Sequence, residues 1–305
     1  MALLKNILLW TSKNDWISNK LPKYKFVRNS LSRFMPGETL VEALNECVKL
    51  ENLNYGTIIT YLGENTTNCE QTFNVVNHYI NALNDIKTKS LGTLISVKLT
   101  QLGLDIDINL CIENMKKLLK VANDNNAFIW IDMEEYCYLD KTLQVYNDLN
   151  NTNNNIGITL QAYLFRTEND LIDLLPQATH IRLVKGAYIE SSDVSMKSKN
   201  DIDKNYFKLS KIMLSKEFSG NGFKPSFATH DDDIINFINT EASNQNIDCS
   251  LYEISMLYGI RTNLQNKLVK ESQNIKILIS YGEEWFPWYI RRIAENPKNL
   301  LLLLK

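Results

Sequence analysis

Short apolar runs recur along the chain between longer segments that have helical periodicity. The runs are rich in β-branched residues, and several are almost continuously apolar, as expected of parallel strands with helices on one face and packed side chains on the other. Each interval has room for one helix and two loops, which is the spacing of repeated strand-helix-strand units. The eight runs are Gly56 to Leu62, Thr93 to Leu99, Ala127 to Met133, Gly157 to Tyr163, His180 to Lys185, Lys224 to Thr229, Ser250 to Met256 and Lys276 to Tyr281.

Eight units of this kind predict an α/β protein with a TIM-like (β/α)8 barrel. Residues 1–50 precede the first run and are expected to form an N-terminal helical arm, with Thr39 capping a helix over Leu40 to Leu50. Residues 51–305 are then expected to form the barrel. The Asn-rich stretch from Asn150 to Asn155 is expected to be a surface loop. No second domain is predicted.

Composition limits the classes of function. The chain has 305 residues, of which 44% are hydrophobic and 22% charged, as is usual for an enzyme with a large core. A net charge of −2 with dispersed basic residues argues against a nucleic-acid partner. The five cysteines contain no CxxC pair, so we expect reduced thiols, no metal site and a cytoplasmic location. No apolar stretch is long enough to span a membrane, and a signal peptide is poorly supported.

Polar residues close several of the predicted strands, at the end of a barrel where chemistry usually occurs. Taken singly, each is as well explained by a salt bridge at the rim or by a satisfied polar group in the core. Several buried charges together need partners, and a large polar cofactor would supply them. The residues are Lys98, Asp132, Gln161, Arg182, Lys185, Thr229 and His230.

A second candidate feature lies near the C-terminus, where Arg291 and Arg292 are followed at helical spacing by Glu295. Two guanidinium forks can bind a carboxylate bidentately, and a carboxylate can accept from an amine, so the set suits an α-amino acid. The alternative is a solvated helix face on which Arg291 and Glu295 form a surface ion pair that stabilises the helix by only a few tenths of a kcal/mol.

Nine segments occur in one order between about residues 33 and 299 and match the pattern of a known family. They are Arg33 to Thr39, Leu62 to Glu64, Val97 to Leu99, Ile131 to Glu134, Leu160 to Tyr163, Arg182 to Tyr188, Phe227 to Asp231, Met256 to Arg261 and Arg291 to Glu295. Because the ordered set covers most of the chain, the sequence resembles proline dehydrogenase in its monofunctional bacterial form.

The resemblance implies a distorted barrel that uses FAD to oxidise L-proline to Δ1-pyrroline-5-carboxylate, the first step of proline catabolism, and passes the electrons to a quinone. No GxGxxG fingerprint occurs, so the barrel itself must hold the dinucleotide. A peripheral contact with the inner face of the membrane and the oligomeric state are both left open.

The resemblance also implies roles for individual residues. Arg182 and Asp132 are expected to be catalytic, with Asp132 orienting Lys98 and neighbouring polar groups, while Arg182 and Lys185 stabilise the charge of the reduced flavin. The expected cofactor-binding residues are Met133, Gln161, Arg182, Lys185, Gly186, Ala187, Thr229 and His230. The expected substrate-binding residues are Lys98, Tyr188, Leu257, Leu278, Arg291, Arg292 and Glu295.

Two positions depart from the family pattern. Leu278 stands where the family usually has a tyrosine against the substrate ring, and Ser280 replaces a usual proline. Leucine keeps an apolar wall but lacks the hydroxyl and the aromatic area, which affects specificity more than the class of reaction. Two alternatives therefore stay open: a flavoenzyme acting on hydroxyproline or an N-substituted proline, and a barrel that binds an amino acid without catalysis.

Overall fold

The structure is a computed structural model that describes residues 31–215 and 222–295, with side chains as far as Arg292. Eight parallel strands form a closed barrel in which every strand pairs with its neighbours in chain order. The TIM-like barrel predicted from the sequence is therefore confirmed. The strands are β1 (Gly56–Tyr61), β2 (Leu94–Val97), β3 (Ile129–Ile131), β4 (Ile156–Gln161), β5 (His180–Val184), β6 (Lys224–Ala228), β7 (Glu253–Leu257) and β8 (Ile275–Tyr281).

Helices alternate with the strands and cover the outside of the barrel. Of the helices that the structure describes, none combines the length and the apolar character needed to cross a membrane. They are α1 (Leu40–Glu51), α2 (Cys69–Thr88), α3 (Ile108–Asp124), α4 (Leu139–Asn150), α5 (Thr167–Leu174), α6 (Lys199–Met213), α7 (Asp232–Asn244), α8 (Thr262–Lys270) and α9 (Trp285–Glu295).

The predicted strands differ from the observed ones mainly at their ends. The third strand is shorter than its apolar run, because only Ile129–Ile131 pair with β2 and β4. The seventh strand begins at Glu253 rather than at Ser250, because Cys249–Leu251 form a 3-10 turn. The side chain of Asp248 accepts from the Ser250 N–H at 2.9 Å, and such a local bond competes with a strand.

Helix α1 begins where the sequence predicts. Thr39 accepts from the backbone N–H of Glu42, whose carboxylate accepts from the Thr39 N–H in turn, so the two residues form a capping box. At the other end of the helix, Glu51 accepts from the hydroxyls of Thr57 and Thr93 at 2.7 and 2.9 Å. These bonds hold α1 at the N-terminal ends of β1 and β2. Residues 1–30 of the predicted arm lie outside the described residues.

Two hydrophobic cores hold the described residues together. The larger core lies between the barrel and its helices, and a smaller one joins α9 to residues 31–35. The Trp285 Nε1 adds a hydrogen bond of 2.9 Å to Glu38 Oε1. The smaller core fixes the position of α9, whose last turns carry Arg291 and Arg292. Its buried members are Leu31, Phe34, Met35, Leu62, Trp285, Phe286, Trp288, Tyr289 and Ile290.

Gly259, in the turn after β7, supports the backbone that leads into α1. Its φ is +71°, and a Cβ there would lie 1.6 Å from the carbonyl oxygen of Arg33. Gly222 has a similar φ of +80°, but a Cβ at that position would meet no heavy atom of the described residues within 4 Å. Alanine substitutions at these two glycines therefore separate the cost of a left-handed backbone from the cost of a steric collision.

We expect Gly259→Ala to lower the free energy of unfolding by more than Gly222→Ala. A left-handed conformation costs a residue with a side chain about 1 to 2 kcal/mol, which applies to both variants. The collision with Arg33 adds about 1 to 3 kcal/mol in Gly259→Ala alone. Urea denaturation of the two purified variants measures the difference, and equal losses would contradict the close approach.

Candidate active site

Arg182 on β5 occupies the interior of the barrel. Its Nη2 donates to Asp132 Oδ1 at 2.5 Å and to Ser96 Oγ at 2.8 Å, and its Nε donates to Thr159 Oγ1 at 3.1 Å. Ser96 lies on β2 and Asp132 directly after β3, neither of which is a neighbour of β5 in the barrel. A side chain from β5 reaches them only through the interior. The arginine thus ties three other strands together at the C-terminal end of the barrel.

The charge of Arg182 is almost fully removed from water, since only 3% of the residue is exposed. Burial lowers the pKa of its guanidinium, while Asp132 and Glu253 oppose that change. The guanidinium also lies 4.9 Å from the centre of the Trp130 ring, where a cation is attracted electrostatically. Breaking a buried ion pair of this kind typically costs about 3 to 5 kcal/mol, because one charge is left without its partner.

Asp132 contacts only some of the groups expected. The sequence suggested that it orients Lys98 and neighbouring polar groups, and its carboxylate accepts from two such groups, Arg182 and Ser96 Oγ, the latter at 2.8 Å. Lys98 instead faces Glu64, with 3.8 Å between Nζ and Oε1. The physical reason is that the end of β3 faces the middle of β5 across the barrel, where the buried arginine needs a carboxylate.

Lys185, one residue beyond β5, joins a second group of charges. Its Nζ donates to Asp203 Oδ1 at 2.6 Å and to Asp231 Oδ2 at 3.0 Å. Lys199 binds the same two carboxylates from the start of α6. Burial raises the pKa of Asp231, but Lys185 and Lys199 outweigh it and hold that pKa below its ordinary value. Two lysines and two aspartates thus form a neutral network beside the strand ends.

Gln161 and Met133 meet where β3 and β4 end. Gln161 Nε2 donates to the carbonyl oxygens of Met133 and Glu134, at 3.4 and 3.2 Å. Its Oε1 is buried and has no hydrogen-bond partner within the described ranges. A buried acceptor without a partner is costly, so this atom is suited to a donor on a bound molecule.

His230 follows β6 as a neutral ring. Its Nε2 accepts the backbone N–H of Leu257 at 2.9 Å, so the ring proton lies on Nδ1. Burial lowers the pKa of His230 to about 4, and the nearby charges of Arg292 and Arg261 act in the same direction. The neighbouring Thr229 is buried, and its Oγ1 accepts from the Asp231 N–H at 3.1 Å.

The backbone after β5 has a conformation that requires glycine. Gly186 has a φ of +111°, and a Cβ there would collide with the ring of Tyr163. Ala187 continues this half-buried segment and leads to Tyr188. Gly186 and Ala187 thus keep large side chains away from the segment directly after β5, before the Tyr188 ring.

Arg291 on α9 faces a carboxylate across the mouth of the barrel. Its Nη2 donates to Glu64 Oε1 at 2.6 Å and its Nη1 to Oε2 at 3.4 Å. Burial raises the pKa of Glu64, but Lys98, Arg291 and a hydrogen bond with Tyr188 together hold it below its ordinary value. The Arg291 guanidinium also lies 5.6 Å from the centre of the Tyr188 ring. A cavity of about 410 Å³ beside this pair is lined in part by Lys98, Glu64, Trp288 and Arg291.

The remaining predicted substrate residues are Arg292, Leu257, Leu278 and Glu295. The Arg292 guanidinium lies 5.9 Å from the centre of the Trp288 ring and is close enough to influence His230. Leu257 and Leu278 are half-buried and directly opposite each other in the pairing of β7 with β8. Glu295 ends α9, but its side chain is outside the described residues, so its role stays a prediction.

Several residues of the site have no role assigned from the sequence. Glu64 follows the first strand and Asp231 follows Thr229-His230, so the rule that polar residues gather at strand ends would have found both. Asp203 lies on α6, four residues after Lys199, and gives no strand-end signal. Trp130 lies inside a strand, where an aromatic residue usually indicates core packing.

This geometry divides the site into two halves, one at the strand ends and one on helix α9. The strand ends provide a buried cation, an unpartnered amide oxygen and a neutral imidazole, which suit a polar, partly anionic ring system. Helix α9 provides a guanidinium that already binds a carboxylate, which suits a ligand with a carboxylate of its own. The halves face the same barrel mouth, so a carboxylate ligand and a ring-shaped cofactor could bind next to each other.

Comparisons with known proteins show the family of this chain. The family model described as proline dehydrogenase matches residues 43–302. Proline dehydrogenase 2 of Bacillus subtilis subsp. natto is 33% identical over 305 residues, which cover 100% of this chain and 98% of that protein. The proline dehydrogenase of Deinococcus radiodurans is 30% identical over 282 residues, covering 91% and 89%.

A solved structure shares the fold. Proline utilization A from Bdellovibrio bacteriovorus, inactivated by N-propargylglycine, aligns with a TM-score of 0.82 at 24% identity. The alignment covers 88% of this chain and 33% of that one, so the likeness concerns the barrel alone. With a family model that matches most of its residues and relatives similar over their full length, the chain belongs to the proline dehydrogenase family.

Proposed function

We propose that this protein is an FAD-dependent dehydrogenase that oxidises L-proline to Δ1-pyrroline-5-carboxylate and passes the electrons to a quinone. The oxidation of proline follows from membership of the family. The cofactor, the acceptor and the roles of individual residues are the proposal. The observation that carries it is the Arg291 guanidinium, which binds a carboxylate at the mouth of a barrel whose strand ends hold a buried cation.

The residues at the strand ends fit a flavin. The unpartnered Oε1 of Gln161 can accept from a ring N–H, and the Nδ1–H of His230 can donate to a ring or ribityl oxygen. The protein bonds of Arg182 use Nε and Nη2, and its Nη1 has no hydrogen-bond partner among residues 31–215 and 222–295. We assign Met133, Lys185, Gly186, Ala187 and Thr229 to the same cofactor site.

The substrate carboxylate is proposed to replace the Glu64 carboxylate on Arg291. Both are planar acceptors with two oxygens, so the same fork suits either. Arg292 would complete the clamp, with Lys98 adding a third positive charge and Glu295 belonging to the same ion-pair network. Glu64 then keeps Arg291 paired when no substrate is present, which avoids an unpaired guanidinium in a largely enclosed site.

The proposed reaction requires the protein mainly to position the substrate against the cofactor and to place charges near the reacting groups. When bound, the flavin supplies the acceptor for the hydride that leaves the ring carbon next to nitrogen. Arg182 keeps a fixed positive charge at the strand ends, where it favours the gain of negative charge. Asp132 holds that guanidinium in place through the 2.5 Å bond. Tyr188, Leu257 and Leu278 would enclose the apolar part of the substrate ring, so that proximity provides much of the rate.

Leu278 supports a second candidate substrate. It lies opposite Leu257 in the strand pairing and is half-buried, so it could contact a ring held near the end of β7. A leucine there leaves room that the tyrosine usual in the family would fill. Hydroxyproline or an N-substituted proline could use that room, and the same residues would oxidise it.

The electron acceptor is proposed from the family resemblance. A quinone dissolved in a membrane would require the protein to meet the membrane surface as a peripheral protein. A cytoplasmic protein that visits the inner face of the membrane would satisfy that requirement.

The proposed function is tested by adding L-proline anaerobically to the purified protein. We expect a yellow protein whose flavin absorbance is lost on addition of proline and returns on addition of a soluble quinone. N-propargylglycine, which inactivated the Bdellovibrio protein, should prevent the bleaching. A colourless protein, or a yellow one that proline leaves unchanged while hydroxyproline bleaches it, would contradict oxidation of proline and favour one of the two alternatives.

The carboxylate clamp predicts a specific defect in the variants Arg291→Lys and Arg292→Lys. Lysine keeps the charge but loses the planar fork, so proline should bind more weakly while FAD is retained. About 1.5 to 3 kcal/mol per charged hydrogen bond is expected to be lost. Steady-state KM for proline and flavin content measure the two effects. Lys116 is exposed, so Lys116→Arg is the control for exchanging one cationic side chain for another. If both arginine variants bound proline as tightly as the wild type does, other residues would have to bind the substrate carboxylate.

The substrate role of Leu278 predicts a change in selectivity. Leu278→Tyr should fill the space beside Leu257 and raise the preference for L-proline over 4-hydroxyproline, with flavin content unchanged. A pocket that differs by one or two methylene-sized volumes discriminates by about 1 to 3 kcal/mol. The ratio of the two kcat/KM values is the measurement. An unchanged ratio would mean that Leu278 does not contact the substrate ring.

A further inference from the structure

Glu134 is a buried carboxylate with no assigned role, two residues after Asp132. Only 3% of the residue is exposed. Its Oε1 accepts from the backbone N–H of Thr100 at 3.1 Å, and its Oε2 accepts from the Thr100 hydroxyl at 2.6 Å. Both oxygens therefore bind one residue of a different segment, the 3-10 turn Leu99–Leu102 that follows β2.

This contact replaces a missing cap. Lys98 is the N-cap residue of the turn, and its side chain makes no capping hydrogen bond. The first N–H groups of a helical turn need acceptors, which an N-cap side chain normally supplies. Glu134, which follows the next strand, supplies one such acceptor. A lysine cannot supply such an acceptor, so Glu134 holds the turn while the Lys98 ammonium group faces Glu64.

The same contact extends to the loop that carries Glu64. Because the Thr100 hydroxyl donates to Glu134, its lone pairs can accept, and the Asn65 N–H donates to it at 3.2 Å. The Thr100 carbonyl oxygen accepts from the backbone N–H and the hydroxyl of Thr66, at 3.2 and 2.9 Å. Asn65 also has a left-handed backbone with φ of +55°, which persists only when its surroundings hold it. Thr100 is thus one support of the residues after Glu64, beside the bonds from the Asn65 side chain to Asp105 and Tyr138.

On its other side, Glu134 meets the cofactor half of the site. Its carbonyl oxygen accepts from Gln161 Nε2 at 3.2 Å. One residue therefore connects the amide proposed to bind the flavin with the two segments that carry Lys98 and Glu64.

We propose that Glu134 is a positioning residue that sets Lys98 and Glu64 against Arg291 through Thr100, and so determines how tightly the site binds a carboxylate substrate. The inference rests on the proposed function, since it assigns Lys98, Glu64 and Arg291 to the substrate. Glu134 itself does not touch the substrate in this account.

The electrostatics of Glu134 make this role sensitive to pH. Burial raises its pKa to about 7, although the bonds from Thr100 and the charge of Lys98 act to lower it, and Glu64 acts to raise it. The ionised form can accept both bonds from Thr100. The protonated form turns one oxygen into a donor, so the Thr100 hydroxyl must reverse and accept from it, and a charge-assisted bond is replaced by a weaker neutral one as the pH falls below about 7. The charged and titratable groups that interact with Glu134 are Lys98, Glu64, Cys111, Tyr138 and Tyr188.

Two variants, one at each end of the contact between Glu134 and Thr100, test the inference. Glu134→Gln keeps the shape but removes the charge, so its bond with the Thr100 hydroxyl becomes a weaker neutral one, and Thr100→Val keeps the shape of Thr100 but removes its hydroxyl. Both should raise the KM for proline and the Kd of tetrahydrofuran-2-carboxylate about tenfold, the scale of one net hydrogen bond. We expect kcat to stay within about twofold and flavin content to be unchanged. Thr100→Ser restores the hydroxyl and should restore the low KM.

The pH dependence separates positioning from a general effect on folding. Wild-type holoprotein should bind tetrahydrofuran-2-carboxylate more weakly at pH 6 than at pH 8, and Glu134→Gln should show no such change. His230, whose pKa is lowered to about 4, does not titrate in this interval. The matched control is Glu113→Gln, the same chemical change at an exposed ion pair with Lys116, which should leave every quantity unchanged.

Three outcomes would overturn the inference. The first is that Glu134→Gln binds tetrahydrofuran-2-carboxylate as tightly as the wild type does. The second is that binding in this variant still depends on pH. The third is that Glu134→Gln and Thr100→Val both lose flavin, kcat and thermal stability together. If Glu134→Gln does not fold, Thr100→Val and Thr100→Ser carry the test alone. A wild-type protein that binds the analogue but is not bleached by proline would contradict the proposed oxidation, and the analogue affinities would still decide the role of Glu134.

Discussion

The arginine enclosed in the barrel is the constraint on which the site depends. A guanidinium stays charged at any accessible pH, so its burial must be balanced by a carboxylate and by neutral acceptors. Arg182 obtains these from β2, β3 and β4 at once. The strand ends that would hold a flavin are therefore fixed to one another before any ligand binds. Most (β/α)8 barrels fill this layer with branched apolar side chains, which could not supply a fixed charge to a cofactor.

Lys98, Arg182, Lys185 and Arg291 each have a carboxylate partner, but the pairs differ in how readily they can exchange. Asp132 and Arg182 lie in the interior, where separation would leave a buried charge. Glu64 and Arg291 lie at the mouth, beside the cavity, where an incoming carboxylate could reach the guanidinium. The same kind of interaction would therefore have two functions. In the interior it preserves geometry, and at the mouth it is proposed to reserve a binding position for substrate.

The sequence predicts the framework of this protein better than its pairings. Apolar runs identified all eight strands, and Thr39 identified the start of α1, because both signals are local. The strand-end rule predicted Arg182, Asp132 and Gln161 as candidate site residues, and their place in the site stays a prediction. It could not show that Asp132 binds Arg182 rather than Lys98, because that depends on which strand ends face each other across the closed barrel. Glu64 and Glu134 could be located by the same rule, but their partners come from segments more than thirty residues away.

The two halves of the site also rest on different supports, which bears on how function can be lost. The proposed cofactor half is built from strand ends within the main core. The proposed substrate half depends on α9, which packs on residues 31–35 in the smaller core, and on the turn and loop held through Glu134. A change in the segment around Phe34 or Met35 could therefore disturb Arg291 without touching the strands. Substrate affinity should consequently be more sensitive than flavin binding to changes in the N-terminal part of the described chain, although that part is far in sequence from α9.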